Sequence, residues 1–109
     1  MIAATPEPPY LAVIFTSVFA GKDEEAYEQT AERMLELAAG MEGFLGAETP
    51  PRSRSGLGIT VSYWRDEAAI ARWRAHADHR AAKAAGRRRW YRAYALRIAR
   101  VEAERRMGT

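Results

Sequence analysis

Cysteine is absent from this chain of 109 residues. Disulfides, zinc–thiolate sites and cysteine nucleophiles are thereby excluded, and a reducing compartment is the natural setting. A run long enough to cross a bilayer is also missing: the apolar stretch from Tyr10 to Ala20 is too short, and residues 1–9 carry no basic leader. A cytoplasmic chain with no membrane partner is expected. No glycine-rich phosphate loop, Walker motif or dinucleotide fingerprint occurs, and no Ser-His-Asp set stands at meaningful spacing. Histidine is scarce, with His76 and His79 alone. They stand at i and i+3, but a third metal ligand would have to be Asp, Glu or water, so no metal is expected.

What is present suits one globular domain. Hydrophobic residues make up 48% and charged residues 28%, enough of the first for a core and of the second for a solvated surface. The net charge of +3 is unevenly spread. Residues 23–41 are acidic, with Glu24, Glu25, Glu28, Glu32 and Glu36, whereas the chain after Arg72 is rich in arginine. We read this as solvated faces in a chain that uses Arg in place of Lys, rather than as a nucleic-acid surface. The triplet Arg87-Arg88-Arg89 before Trp90 has the chemistry to hold a phosphate or stack a base, but as one triplet it is read as a solvated strand entrance. No nucleic-acid partner is expected.

Pro6, Pro8 and Pro9 make residues 1–9 an extended arm. Tyr10–Phe19 is β-branched and aromatic with no breaker before Gly21: a strand. Asp23 is placed to cap a helix whose apolar stripe recurs at Tyr27, Ala31, Met34, Leu35 and Ala38, closing near Gly40 and Gly43. A short strand over 44–49, a loop over 50–56 and a strand over Leu57–Trp64 follow. Asp66 caps a second helix through Ile70 and Trp73 toward His76, and Asp78 is placed to cap a further short turn ending at Gly86. Residues 90–101 read as a last strand. The domain spans 10–102, and the charged tail 103–109 frays.

The order β-α-β-β-α-β predicts an α+β, ferredoxin-like antiparallel sheet with two helices on one face. The other face is also apolar. Leu57, Ile59, Val61 and Tyr63 oppose Thr60 and Trp64 on one strand, and Tyr91, Ala93 and Ala95 oppose Tyr94, Leu96 and Ile98 on another. Two helices cover one face only, so a homodimer packed sheet on sheet is expected.

The run from Ser62 to Glu102 carries Tyr63, Trp64, Asp66, Ala69, Ile70, Trp73, Arg74, His76, His79, Ala82, Gly86, Arg87, Trp90, Tyr91 and Tyr94. In that spacing it resembles the antibiotic biosynthesis monooxygenase superfamily of dimeric α+β barrel proteins, and Gly43-Phe44 suits it too. The resemblance implies a homodimeric barrel and a cofactor-independent monooxygenase acting on a small acidic aromatic molecule, such as a phenol, quinol or anthrone. A non-enzymatic, dimeric small-molecule-binding or stress-related protein on the same scaffold is the alternative. Haem-degrading relatives place a histidine about ten residues after the tryptophan of the second helix and an asparagine on the first strand. Here Lys83 stands at the first place and the chain has no asparagine, so haem is not expected and no cofactor is implied.

Within that reading, His79 is the candidate general base. In the first turn of a helix capped by Asp78 it would feel positive dipole charge, which disfavours the imidazolium and leaves a neutral base. His76, at the end of the preceding helix segment, is a cap or an orienter. Trp73 edges a cavity between helix and sheet, as the resemblance implies. Tyr63 and Trp90 line that cavity, and Arg74 or Arg87 holds the substrate anion.

Overall fold

The computed structural model describes residues 2–83 and 90–108, with the side chains of 78–83 outside that description. The elements are β1 (Tyr10–Phe19), α1 (Glu24–Ala39), β2 (Phe44–Glu48), β3 (Leu57–Trp64), α2 (Glu67–Lys83) and β4 (Tyr91–Val101). The strands form one sheet in the order β2-β3-β1-β4. Its three pairings, β1 with β3, β1 with β4 and β2 with β3, are antiparallel. This is the ferredoxin-like arrangement, with both helices packed on the sheet.

Local chemistry sets the element ends. The Asp66 carboxylate accepts the Ala69 N–H at 2.9 Å, satisfying one of the free donors at the start of α2. Asp23 works differently from the expectation. It sits in the left-handed region with φ 55° and its side chain makes no capping bond; its carbonyl takes the first helical N–H, from Tyr27 at 2.9 Å. Gly43, at φ +91°, lets the chain leave α1 against α2, where an added Cβ would lie 2.5 Å from that of Ala69.

Paired residues in antiparallel strands share a face. Leu11, Val13 and Phe15 pair with Trp64, Ser62 and Thr60 on one side, and Val13 and Phe15 pair with Ile98 and Leu96 on the other. This inner face meets the helices. Its core is Val13, Ala38, Trp64, Ala69 and Ile70, with Trp64 fully buried. Each such large side chain removed from water is worth ~1.5–3 kcal/mol. The register shifts between Val18 and Phe19, which pair with Ala93 and Tyr91. Arg92 is thus a bulge residue, and it turns Tyr91 to the inner face, whereas strict alternation puts Tyr91 opposite Tyr94.

Two expectations are corrected. The sheet is not closed into a barrel: it is open, with β2 and β4 as its edges. The expected homodimer is corrected with it, because the outer face is not bare to the extent the strand pattern implies. The arm folds back on one end of that face. The Ala3 N–H donates to Glu48 Oε2 at 3.0 Å, and Ala3 packs on Gly46. Thr5 and Tyr10 meet Glu104 of the tail. Tyr10 and Ala12 are consequently buried within the single chain, while Leu57 and Ile59 at the other end stay exposed.

Among the described residues, no helix is long and apolar enough to cross a membrane.

Candidate active site

A cavity of about 920 Å³ lies between the helices and the inner face of the sheet. Its floor is Val13, Phe15 and Leu96, and its roof includes Ala31, Met34 and Ala38 of α1. The size and apolar character are those of a small-molecule site.

One wall is a connected set of aromatic rings. Phe15 stands edge-on to Tyr91 with ring centroids 5.3 Å apart and lies 5.6 Å from Tyr94. Tyr27 of α1 packs on Phe19 at 4.7 Å, Trp90 at 5.6 Å and Tyr91 at 5.7 Å. The Tyr91 hydroxyl donates to the Tyr27 hydroxyl at 3.3 Å. The Arg92 bulge is what brings Tyr91 into this wall.

The opposite wall carries Trp73, 5.4 Å from Trp64. The two indoles differ in one respect. Trp64 Nε1 donates to Ser62 Oγ at 2.9 Å, whereas Trp73 Nε1 is buried with no acceptor among the described residues. An unpaired buried N–H costs ~1–3 kcal/mol, so native structures rarely keep one that serves nothing.

The residues singled out in the sequence are placed as follows. Trp73, Arg74 and Trp90 line the cavity. His76 is exposed on α2. Tyr63 lies on the outer face, where it pairs with Ala12 and its hydroxyl donates to Glu48 Oε1 at 2.7 Å. Burial first, then the Glu48 carboxylate, push its phenol up to about 12. The Ala3 N–H and then the Tyr63 hydroxyl hold the Glu48 carboxyl below its ordinary value. The His79 side chain and Arg87 lie outside the described residues. The argument from Asp78, however, is corrected. Glu67–Lys83 is one continuous helix, so Asp78 and His79 lie within it and not at the start of a new one. The premise of a neutral His79 in the first turn of a helix therefore falls away.

Sequence reasoning passed over Arg52, which the loop composition of 50–56 hides. It lines the cavity, stacks over Phe19 and Tyr27, and pairs with Glu24 and Glu28. The one available signal was the spacing of Glu24 and Glu28, which stand at i and i+4 on one helix face. Among the described residues, no group of three or more His, Cys, Asp or Glu is placed to hold a metal ion.

Fold and cavity together define a ferredoxin-like α+β domain with an open space between its helices and its sheet. Residues 9–85 match the family model described as antibiotic biosynthesis monooxygenase, and the chain belongs to that family. The uncharacterized protein YqjZ of Bacillus subtilis is 52% identical over 104 residues, covering 95% of this chain and 90% of that protein. The jasmonate monooxygenase ABM of Pyricularia oryzae is 32% identical over 93 residues, or 84% of this chain, but the match spans only 43% of that longer protein. Among solved structures, SnoaB from Streptomyces nogalater, a cofactor-independent oxygenase, superposes with a TM-score of 0.66 at 15% identity, covering 94% of this chain and 100% of that one. Rv0793 from Mycobacterium tuberculosis gives 0.72 at 15% identity, covering 87% and 97%. At such identities the superpositions speak for the fold alone.

Proposed function

We propose that the chain is a cofactor-independent monooxygenase for a small, flat, acidic aromatic molecule bound between helices and sheet. The observation that carries this reading is the Trp73 indole, which lines an aromatic cavity and whose buried N–H has no acceptor among the described residues. A ligand carbonyl or phenolate oxygen seated there, with a modest turn of the ring, supplies the missing acceptor and recovers the cost of the orphan donor. Membership of the monooxygenase family, and the name of the Pyricularia oryzae relative, support the reaction class.

The chemistry asks little of the protein. An acidic methylene or phenol of the substrate loses a proton to a base. The resulting anion passes one electron to dioxygen, the two radicals combine as a peroxide anion, and the proton returned by the base makes it a hydroperoxide. Loss of water then leaves one oxygen atom on the carbon as a carbonyl and sends the other away as water. The substrate is the reductant. The protein contributes desolvation, orientation and stabilisation of the anion. Arg74, one of the arginines at the cavity lining, is the proposed partner of that anion, and Arg87, outside the described residues, is the second candidate. The proposed proton acceptor is His79, with His76 as the orienter.

The test is oxygen uptake with a panel of quinols and anthrones, comparing wild type with Trp73→Phe and His79→Ala. Uptake above the buffer blank that falls in both variants is expected. No uptake with any member of the panel contradicts the reaction. Unchanged turnover in His79→Ala rejects that base. One observation favours a non-enzymatic binding role on the same scaffold, namely the exposure of His76. That reading predicts saturable ligand binding with no oxygen consumed.

A further inference from the structure

The cavity has one end built unlike the rest. Near the start of α1 its lining includes Gly56 and Gly58, which contribute no side chains. The space is filled instead by Arg52. Its aliphatic chain lies across Gly58, where an added Cβ would come within 3.1 Å of Arg52 Cγ. Its guanidinium sits 4.3 Å from the centroid of the Phe19 ring and 5.0 Å from that of Tyr27. It reaches α1 through Glu28 Oε1 at 3.2 Å and Glu24 Oε1 at 3.4 Å. The Arg52 side chain is 22% exposed, against 70% for Glu24 and 57% for Glu28. One side chain therefore joins the loop, the sheet and the first turns of a helix whose buried residue, Ala38, is at the far end.

Ion pairs with such exposed carboxylates add little to stability. The placement is better explained by what Arg52 occludes. We propose that Arg52 is a specificity-determining residue: it closes the α1 end of the cavity and limits the length of the aromatic ligand the cavity admits. The inference rests on the reading of the cavity as an aromatic-ligand site and adds a size class to it. Ligands up to the length that fits between Trp73 and the Arg52 guanidinium are accepted. Longer linear polycycles are refused because they must displace a cation from two rings and two carboxylates.

The test uses hydroxylated naphthoquinone, anthraquinone and naphthacenequinone as probes of two, three and four fused rings, with tryptophan quenching as the readout. Arg52→Ala is compared with wild type, its fold checked by circular dichroism. A Glu24→Gln, Glu28→Gln double variant keeps Arg52 but frees it. The expected result is a rise of about tenfold in the affinity for four rings relative to two in Arg52→Ala, the worth of roughly one newly buried ring edge. A smaller rise in the same direction is expected in the double variant. An unchanged ratio in both folded variants, or an equal loss across all three probes, overturns the proposal and leaves the ligand site standing. Should wild type bind none of the probes, the aromatic-ligand reading fails first and takes the proposal with it.

Discussion

Trp64 and Trp73 lie 5.4 Å apart at 37°, yet the first has its indole N–H paired with Ser62 and the second has no partner among the described residues. The same ring pair thus contains one indole whose N–H is held by the fold and one whose N–H the proposed ligand would pair. Ser62→Ala strands the Trp64 donor in a fully buried site, so a loss of ~1–3 kcal/mol is expected in denaturant unfolding. Trp73→Phe breaks no hydrogen bond. It is expected to keep the fold while weakening the binding of a ligand with a carbonyl or phenolate oxygen by about tenfold, the worth of one net hydrogen bond.

The glycines test close approach against backbone freedom. Gly21 and Gly43 have φ +82° and +91°, but a Cβ at Gly21 meets nothing within 4 Å while one at Gly43 lies 2.5 Å from the Ala69 Cβ. Gly21→Ala is expected to cost ~1–2 kcal/mol for the left-handed backbone alone. Gly43→Ala adds overpacking of ~1–3 kcal/mol between α1 and α2. A calorimetric comparison of the two melting temperatures checks the order, with Gly43→Ala the lower.

A pH dependence follows from the Glu48–Tyr63 bond under the arm. The Glu48 carboxyl is held below its ordinary 4.5 by the Ala3 N–H and then by Tyr63. Because the folded value is the lower one, the folded state is favoured fully above the unfolded value and loses that contribution as pH falls through the folded one. Glu48→Gln is expected to flatten the acid limb of stability below about pH 4.5. At the alkaline side, the Tyr63 phenol is raised to about 12 from 10. Its contribution is complete below 10 and fades as pH rises toward 12. Absorbance titration is expected to show a late-titrating phenol that disappears in Tyr63→Phe.

Much of the fold was legible because its signals are local. Tyr10–Phe19 and Leu57–Trp64 are bounded by Gly21, Gly56 and Asp66, and the structure ends them there. Asp66 reads as a cap and is one. Asp78 reads the same way, but helix-favouring neighbours such as Ala77, Ala81 and Ala82 carry α2 through it, because propensity summed over a turn outweighs one side chain. The Arg92 bulge carries no sequence mark, so the side on which Tyr91 falls could not be read from alternation. Nor could the cover that Ala3, Thr5 and Glu104 give the outer face, since it joins the two ends of the chain through long-range bonds. That cover, and the open sheet, undo the expected barrel. Of the cavity's lining residues, Trp73, Arg74 and Trp90 were singled out in the sequence, whereas Arg52 and Tyr27 were not, because their placement depends on a loop meeting a helix.

The Asp66 cap offers a check on how firmly α2 is held over the cavity. Asp66→Ala removes the acceptor of the Ala69 N–H and is expected to cost about 1 kcal/mol. Urea unfolding measures it, and Asp66→Asn is expected to recover most of the loss because the amide oxygen still accepts.

The central claim is that the Trp73 N–H finds its partner in a bound aromatic oxygen. The direct measurement is a nitrogen-15 correlation spectrum of the indole N–H groups of Trp64, Trp73 and Trp90 during titration with a hydroxyanthraquinone. The account predicts a saturable downfield shift and slowed hydrogen exchange at Trp73, with Trp64 nearly unmoved because Ser62 already holds it. A Trp73 signal that stays in place while the ligand demonstrably binds contradicts the account.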